Sequence, residues 1–237
     1  MRRFRTACAV VLSVLAFDAA TAVQHTLREP PHGSRAYDAV DAELTLAEFS
    51  DCVLERGGRR ARAERFLRQQ PTGEPFENAA ERLMPEECLQ LRGGSWMEMR
   101  IRSDALRASL FASLYRRDFS HAPPQPQVSE TAPLRLSDEF EGDPALIPQT
   151  VRTVRAIGDC AARADPVGTH AFLLTTLGSS EERQALAPVT SALANCLPEG
   201  QQLRFSRAML RGILAEALYK LRRVAAGQAP VPTETRS

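Results

Sequence analysis

Leu106-Arg107-Ala108-Ser109-Leu110-Phe111-Ala112-Ser113-Leu114-Tyr115-Arg116 is written a second time, 104 positions on, as Leu210-Arg211-Gly212-Ile213-Leu214-Ala215-Glu216-Ala217-Leu218-Tyr219-Lys220. The apolar sites, the arginine and the tyrosine keep their type and order. Immediately upstream, Met99-Arg100-Ile101 matches Leu203-Arg204-Phe205 at the same offset. Further upstream the offset is 108: Phe49-Ser50-Asp51-Cys52 matches Ile157-Gly158-Asp159-Cys160, and Cys88-Leu89 matches Cys196-Leu197. The first copy carries the difference as extra residues around Gly93-Gly94-Ser95-Trp96. A match this long identifies an internal duplication.

Each copy reads as helices. Leu106, Leu110 and Leu114, like Leu210, Leu214 and Leu218, recur every four residues and form one inward stripe. A first helix is expected over Leu46 to Arg56 and Val151 to Arg163, ended by Gly57-Gly58 and Asp165-Pro166, with its cysteine facing inward. Shorter second helices follow at Arg60 to Arg68 and Gly168 to Leu177. The third begins at Pro75 in copy one and at a Ser179-x-x-Glu182 capping box in copy two. Two stretches, Met97 to Arg102 and Gln202 to Phe205, alternate apolar and polar residues, as half-buried strands do. The expected fold is therefore all-α: two tandem helical repeats of about four helices each, each closed by one disulfide, with the alternating stretches forming either a short two-stranded ribbon or two loops.

The cysteines follow from the duplication. Residues 1–22 read as a signal peptide: Arg2, Arg3 and Arg5, then an apolar run from Ala7 to Phe17, then Ala20-Thr21-Ala22. That run is too short to span a membrane, which takes about 20 apolar residues. Cleavage removes Cys8 and leaves four cysteines for an oxidising compartment. Of their three pairings, the duplication selects Cys52–Cys88 and Cys160–Cys196, since each copy would have closed its own bridge. A shared zinc site is disfavoured by the absence of any Cys-x-x-Cys pair.

Repeat one is expected over 43–118 and repeat two over 149–226. Residues 119–148, with Pro123-Pro124-Gln125-Pro126 and the acidic run Ser137 to Glu141, read as an extended Pro-rich linker. Segments 23–42 and 227–237 read as disordered. Formal charge is +1, and −1 once Arg2, Arg3, Arg5 and Asp18 are removed, so no global field recruits nucleic acid.

No nucleophile elbow, phosphate-binding glycine loop, His-Glu-x-x-His helix or EF-hand pattern occurs. The duplicated polar residues are the better candidates: Asp51/Asp159, Arg100/Arg204, Arg107/Arg211 and Tyr115/Tyr219. One reading makes them a ligand site present twice, with arginine holding an anion. The other pairs Asp51 with Arg107 and Asp159 with Arg211, each tyrosine hydroxyl capping a backbone group. Copy one has a basic run, Arg56 to Arg68, where copy two has Ala171-Phe172-Leu173-Leu174, a face for burial or for a partner. The expected function is that of an exported protein, periplasmic or secreted in a bacterial envelope. It would be non-enzymatic, binding a protein or envelope partner, with no cofactor, no metal, no nucleic acid and no transmembrane segment after signal removal. The alternatives are an envelope hydrolase with a carboxylate pair between the repeats, or a small carrier of apolar ligands.

Overall fold

A computed structural model describes residues 39–56, 58–89, 101–197 and 205–232. The expected signal peptide, most of segment 23–42, Arg100, Arg204 and most of both alternating stretches lie outside these residues. Every regular element among the described residues is helical. Ile101, Arg102 and Phe205, the described ends of the alternating stretches, are not in strands.

The first repeat comprises α1 (Ala39–Glu55), α2 (Arg59–Arg68), α3 (Glu74–Glu81), α4 (Glu86–Leu89) and α5 (Ser103–Phe119). Gly58, with φ 74°, holds the left-handed turn that starts α2, a conformation glycine adopts without steric cost. Pro75 sits in the first turn of α3, where its missing N–H has no helical partner to lose. Downstream, Pro85 opens a new turn, so Cys88 lies on the separate short α4. The Cys52–Cys88 bridge therefore joins α1 to α4, one element beyond the third helix.

Between the repeats run α6 (Gln127–Glu130), α7 (Leu136–Glu139) and a 3-10 turn at Pro144–Leu146. The second repeat comprises α8 (Gln149–Ala164), α9 (Pro166–Leu174), α10 (Ser180–Asn195) and α11 (Arg207–Ala225). Asp165 accepts the Gly168 N–H (2.8 Å) to start α9. Ser179 Oγ accepts the Glu182 N–H (3.1 Å), and Glu182 reaches back to the Gly178 N–H (2.8 Å), so the capping motif closes one residue early. The second bridge, Cys160–Cys196, ties α8 to the residue that ends α10.

The two repeats share one core, with α5 packed on α11 at its centre. Equivalent residues meet there. A β-carbon on Gly212 would lie 2.2 Å from that of Ala108, its counterpart 104 positions earlier. An isologous contact of this kind marks an approximate twofold axis. Flanking it, α1 packs on α5 and α8 on α11 through equivalent positions. Ser50 Oγ donates to Ser109 Oγ (2.8 Å) in the first repeat. In the second, Gly158 and Ile213 take those places, so close that a β-carbon on Gly158 would lie 2.4 Å from Ile213 Cγ2.

The inter-repeat segment is not extended. Val128, Phe140 and Ile147 are buried, and the Glu141 N–H donates to the Arg68 carbonyl at the end of α2 (2.8 Å). Apolar residues spaced between prolines anchor a segment whose composition reads as linker. The flanking segments are also partly ordered: Ala39 to Ala42 belong to α1, Val231 is buried, and Arg68 donates to the Pro232 carbonyl.

Candidate ligand-binding cleft

The duplicated arginines do the same job in each repeat. Arg107 Nη1 donates to the Leu67 carbonyl (2.8 Å) and Arg211 Nη1 to the Leu173 carbonyl (3.0 Å), each among the unpaired carbonyls that end α2 and α9. Each guanidinium also lies over a ring, Arg107 at 5.0 Å from Phe111 and Arg211 at 4.6 Å from Phe172. Their carboxylate partners are not the expected aspartates. Arg211 pairs with Glu182 (2.6 Å) in its own repeat, whereas Arg107 forks onto Glu216 of the other repeat (2.6 and 3.1 Å). Asp51 instead meets Arg116 (3.2 Å to both oxygens), and Asp159 meets Arg163 on its own helix (3.0 Å).

The tyrosines do not cap backbone groups. Tyr115 Oη lies 2.7 Å from His170 Nδ1 of the other repeat, and Tyr219 Oη donates to Asp118 (3.2 Å). Burial pushes the Tyr115 hydroxyl up to about 12, so it stays protonated. Burial, with the Arg222 charge, holds His170 below its ordinary value and favours neutral imidazole. Three arginines of the basic run are tied to acids: Arg59 pairs with Glu87, Arg60 with Asp118 and Arg68 with Glu141. Phe172 and Leu173 of the apolar counterpart are buried.

Two clefts flank the α5–α11 crossing. The smaller, about 260 Å³, is lined by Leu46 and Ala47 of α1 and by Ser109 and Ala112 of α5. The larger, about 410 Å³, is lined by the equivalent residues of the second repeat, Val154, Arg155, Ile213 and Glu216. Ala108 and Gly212 border both, so the same approximate axis relates the clefts.

The copies differ most in charge. Where the smaller cleft has Ala47 and Ala112, the larger has Arg155 and Glu216, and the inter-repeat segment adds Glu139 and Phe140 as a third wall. Behind that wall stands Lys220, the only lysine of the chain, with 0% exposure. Its ammonium donates to Glu139 (2.9 Å) and to Glu216; Arg155 pairs with Glu139 from the other side. The result is an alternating series, Arg155, Glu139, Lys220, Glu216, Arg107. Burial pushes the Glu216 carboxyl up, but the Arg107 and Lys220 charges outweigh it and hold the group at about 2.

Asp159, at the cleft wall, is the exception. It is 3% exposed; Arg163 occupies Oδ2, while Oδ1 has no hydrogen-bond partner. Burial raises its carboxyl above the ordinary range. Arg155 Nε is likewise buried without a partner.

Among the described residues no group of His, Cys, Asp and Glu could hold a metal ion, and no helix is long and apolar enough to cross a membrane. Among known proteins, no family model matches the chain, and no curated protein or solved structure is detectably similar to it.

The cleft-forming residues Glu139, Glu216 and Lys220 were not among the sequence candidates. One signal pointed to them: a single lysine inside the inward register of the best amphipathic helix needs a buried anion.

Proposed function

We propose that the chain is an exported, non-enzymatic binding protein that takes a small, largely apolar molecule in the larger cleft between α5, α8 and α11. The observation that carries this reading is the cleft itself. It has an open volume of about 410 Å³ and walls formed by Val151, Val154, Phe205 and Ile213. Mostly apolar concave sites of about 300–1,000 Å³ holding a few placed polar groups are the usual form of small-molecule sites. Hydrolysis by a carboxylate pair is less well supported. Glu139 and Glu216 are locked in the ion series and Asp104 is paired with Arg102, which leaves Asp159 without a second free carboxylate. Export agrees with two disulfides and with the N-terminal sequence.

Titration with N-phenyl-1-naphthylamine, a neutral apolar fluorophore, tests the reading. Saturable binding is expected, weakened about tenfold or more by Val154→Trp, which fills the cleft, with little change in melting temperature. No saturable binding by the unaltered protein would overturn it. Peptide mapping of protein secreted from its native host should find Val23 at the mature N-terminus.

A further inference from the structure

Three atoms of the larger cleft's lining are buried without a hydrogen bond; Glu139 Oε1 is in ionic contact with the Arg155 guanidinium, which leaves one acceptor and one donor, Asp159 Oδ1 and Arg155 Nε. They belong to side chains one turn apart on α8, and both side chains line the cleft. The two repeats differ at the residue that serves this acceptor. In the first repeat, Asp51 is served by Arg116 of α5 at 3.2 Å. The residue 104 positions on is Lys220, and its ammonium is drawn to Glu139 and Glu216. Asp159 has therefore lost the N–H donor that its counterpart keeps. A buried polar atom left without a partner costs free energy that a ligand can recover.

Charge decides what kind of N–H fits. Arg107, Arg155, Arg163 and Lys220 surround this end of the cleft, against Glu139, Asp159 and Glu216; the Asp104–Arg102 pair at the rim cancels. Cations are already in excess by one, which opposes a further cation, and an anionic head would meet the unmatched Asp159 oxygen as a like charge. A neutral group that donates and accepts meets both unmatched atoms.

Resting on the reading of this cleft as a binding site, we propose that its ligand is a small molecule with an apolar body and a neutral amide head. The amide N–H is donated to Asp159 Oδ1, and its carbonyl accepts from Arg155 Nε. Val151, Val154, Phe205 and Ile213 enclose the apolar body.

Calorimetric titration of the disulfide-intact protein with octanamide, octylammonium, octanoate and 1-octanol tests this, since the four share one chain and differ in the head. Octanamide is expected to bind about tenfold tighter than the other three, and in Asp159→Leu that advantage should shrink to about threefold or less. The ranking on the unaltered protein decides the matter even if the variant folds poorly. Tightest binding by octylammonium or octanoate, or equal binding of all four, overturns the amide head and leaves the apolar cleft standing. If none of the four binds and the fluorophore does not bind either, both readings fall.

Discussion

Ala108 and Gly212 occupy the same position of the two repeats and touch where α5 crosses α11. A β-carbon at 212 would come within 2.2 Å of the Ala108 β-carbon and 2.9 Å of its α-carbon. The duplication thus became one body by pressing a single residue type against its own copy, which works only if one of the two gives up its side chain.

Gly212→Ala should therefore destabilise the protein despite alanine's better helix propensity. The propensity gain is about 1 kcal/mol, whereas overpacking a core costs about 1–3 kcal/mol, and here the obstruction includes backbone. A net loss of about 1–2 kcal/mol is expected in thermal unfolding. An unchanged or raised melting temperature would contradict the packing.

Lys220→Met should cost about 3–5 kcal/mol, the range for removing one partner from a buried ion pair. The methionine fits the lysine stem but leaves Glu139, with a side chain 1% exposed, facing one cation fewer. Guanidinium denaturation gives the number. A loss below about 1 kcal/mol would mean that the ion series contributes little to stability.

Glu216 predicts the acid limb of stability. Its folded value, about 2, lies below the ordinary value of 4.5, so its contribution is complete above the unfolded value and is lost as pH falls from 4.5 toward 2. The shift corresponds to about 3 kcal/mol. Asp159 acts in the opposite sense: its raised carboxyl strains the fold when charged, and that strain is relieved as acid protonates it. Glu216→Gln should flatten the fall in stability between pH 4.5 and 2 relative to the unaltered protein, as read by urea titrations across that range.

Each bridge spans a sequence separation of 36, for which chain entropy gives about 4 kcal/mol. Replacing either cysteine pair by alanine should lower unfolding free energy by roughly that amount. Because the repeats share one core, unfolding should remain a single transition after loss of one bridge. Two separate transitions would show the repeats to be independent.

The repeat, the helix type, the register of the leucine stripes and the bridge pairing were legible because each depends on local period or on copying. What could not be read was written only once. Arg107 has a counterpart in Arg211, but its partner Glu216 corresponds to Ala112, so the cross-repeat fork leaves no duplicated trace. Glu139 and Phe140 lie in a proline-bounded, acidic stretch whose composition resembles linker, and only tertiary burial makes them a wall of the cleft. Asp51 and Asp159 align perfectly, yet the first side chain is 47% exposed and the second 4%. At the equivalent position of each repeat's last helix, Arg116 pairs with Asp51, whereas Lys220 turns to Glu139 and Glu216.

A chain of 237 residues with thirty basic side chains and one lysine, held at 0% exposure, has a practical corollary. Amine-directed reagents should find only the terminal amine while the protein is folded. Modification of Lys220 by a succinimidyl ester then becomes a built-in clock for opening of the core, readable by mass spectrometry at a single site without any engineered label.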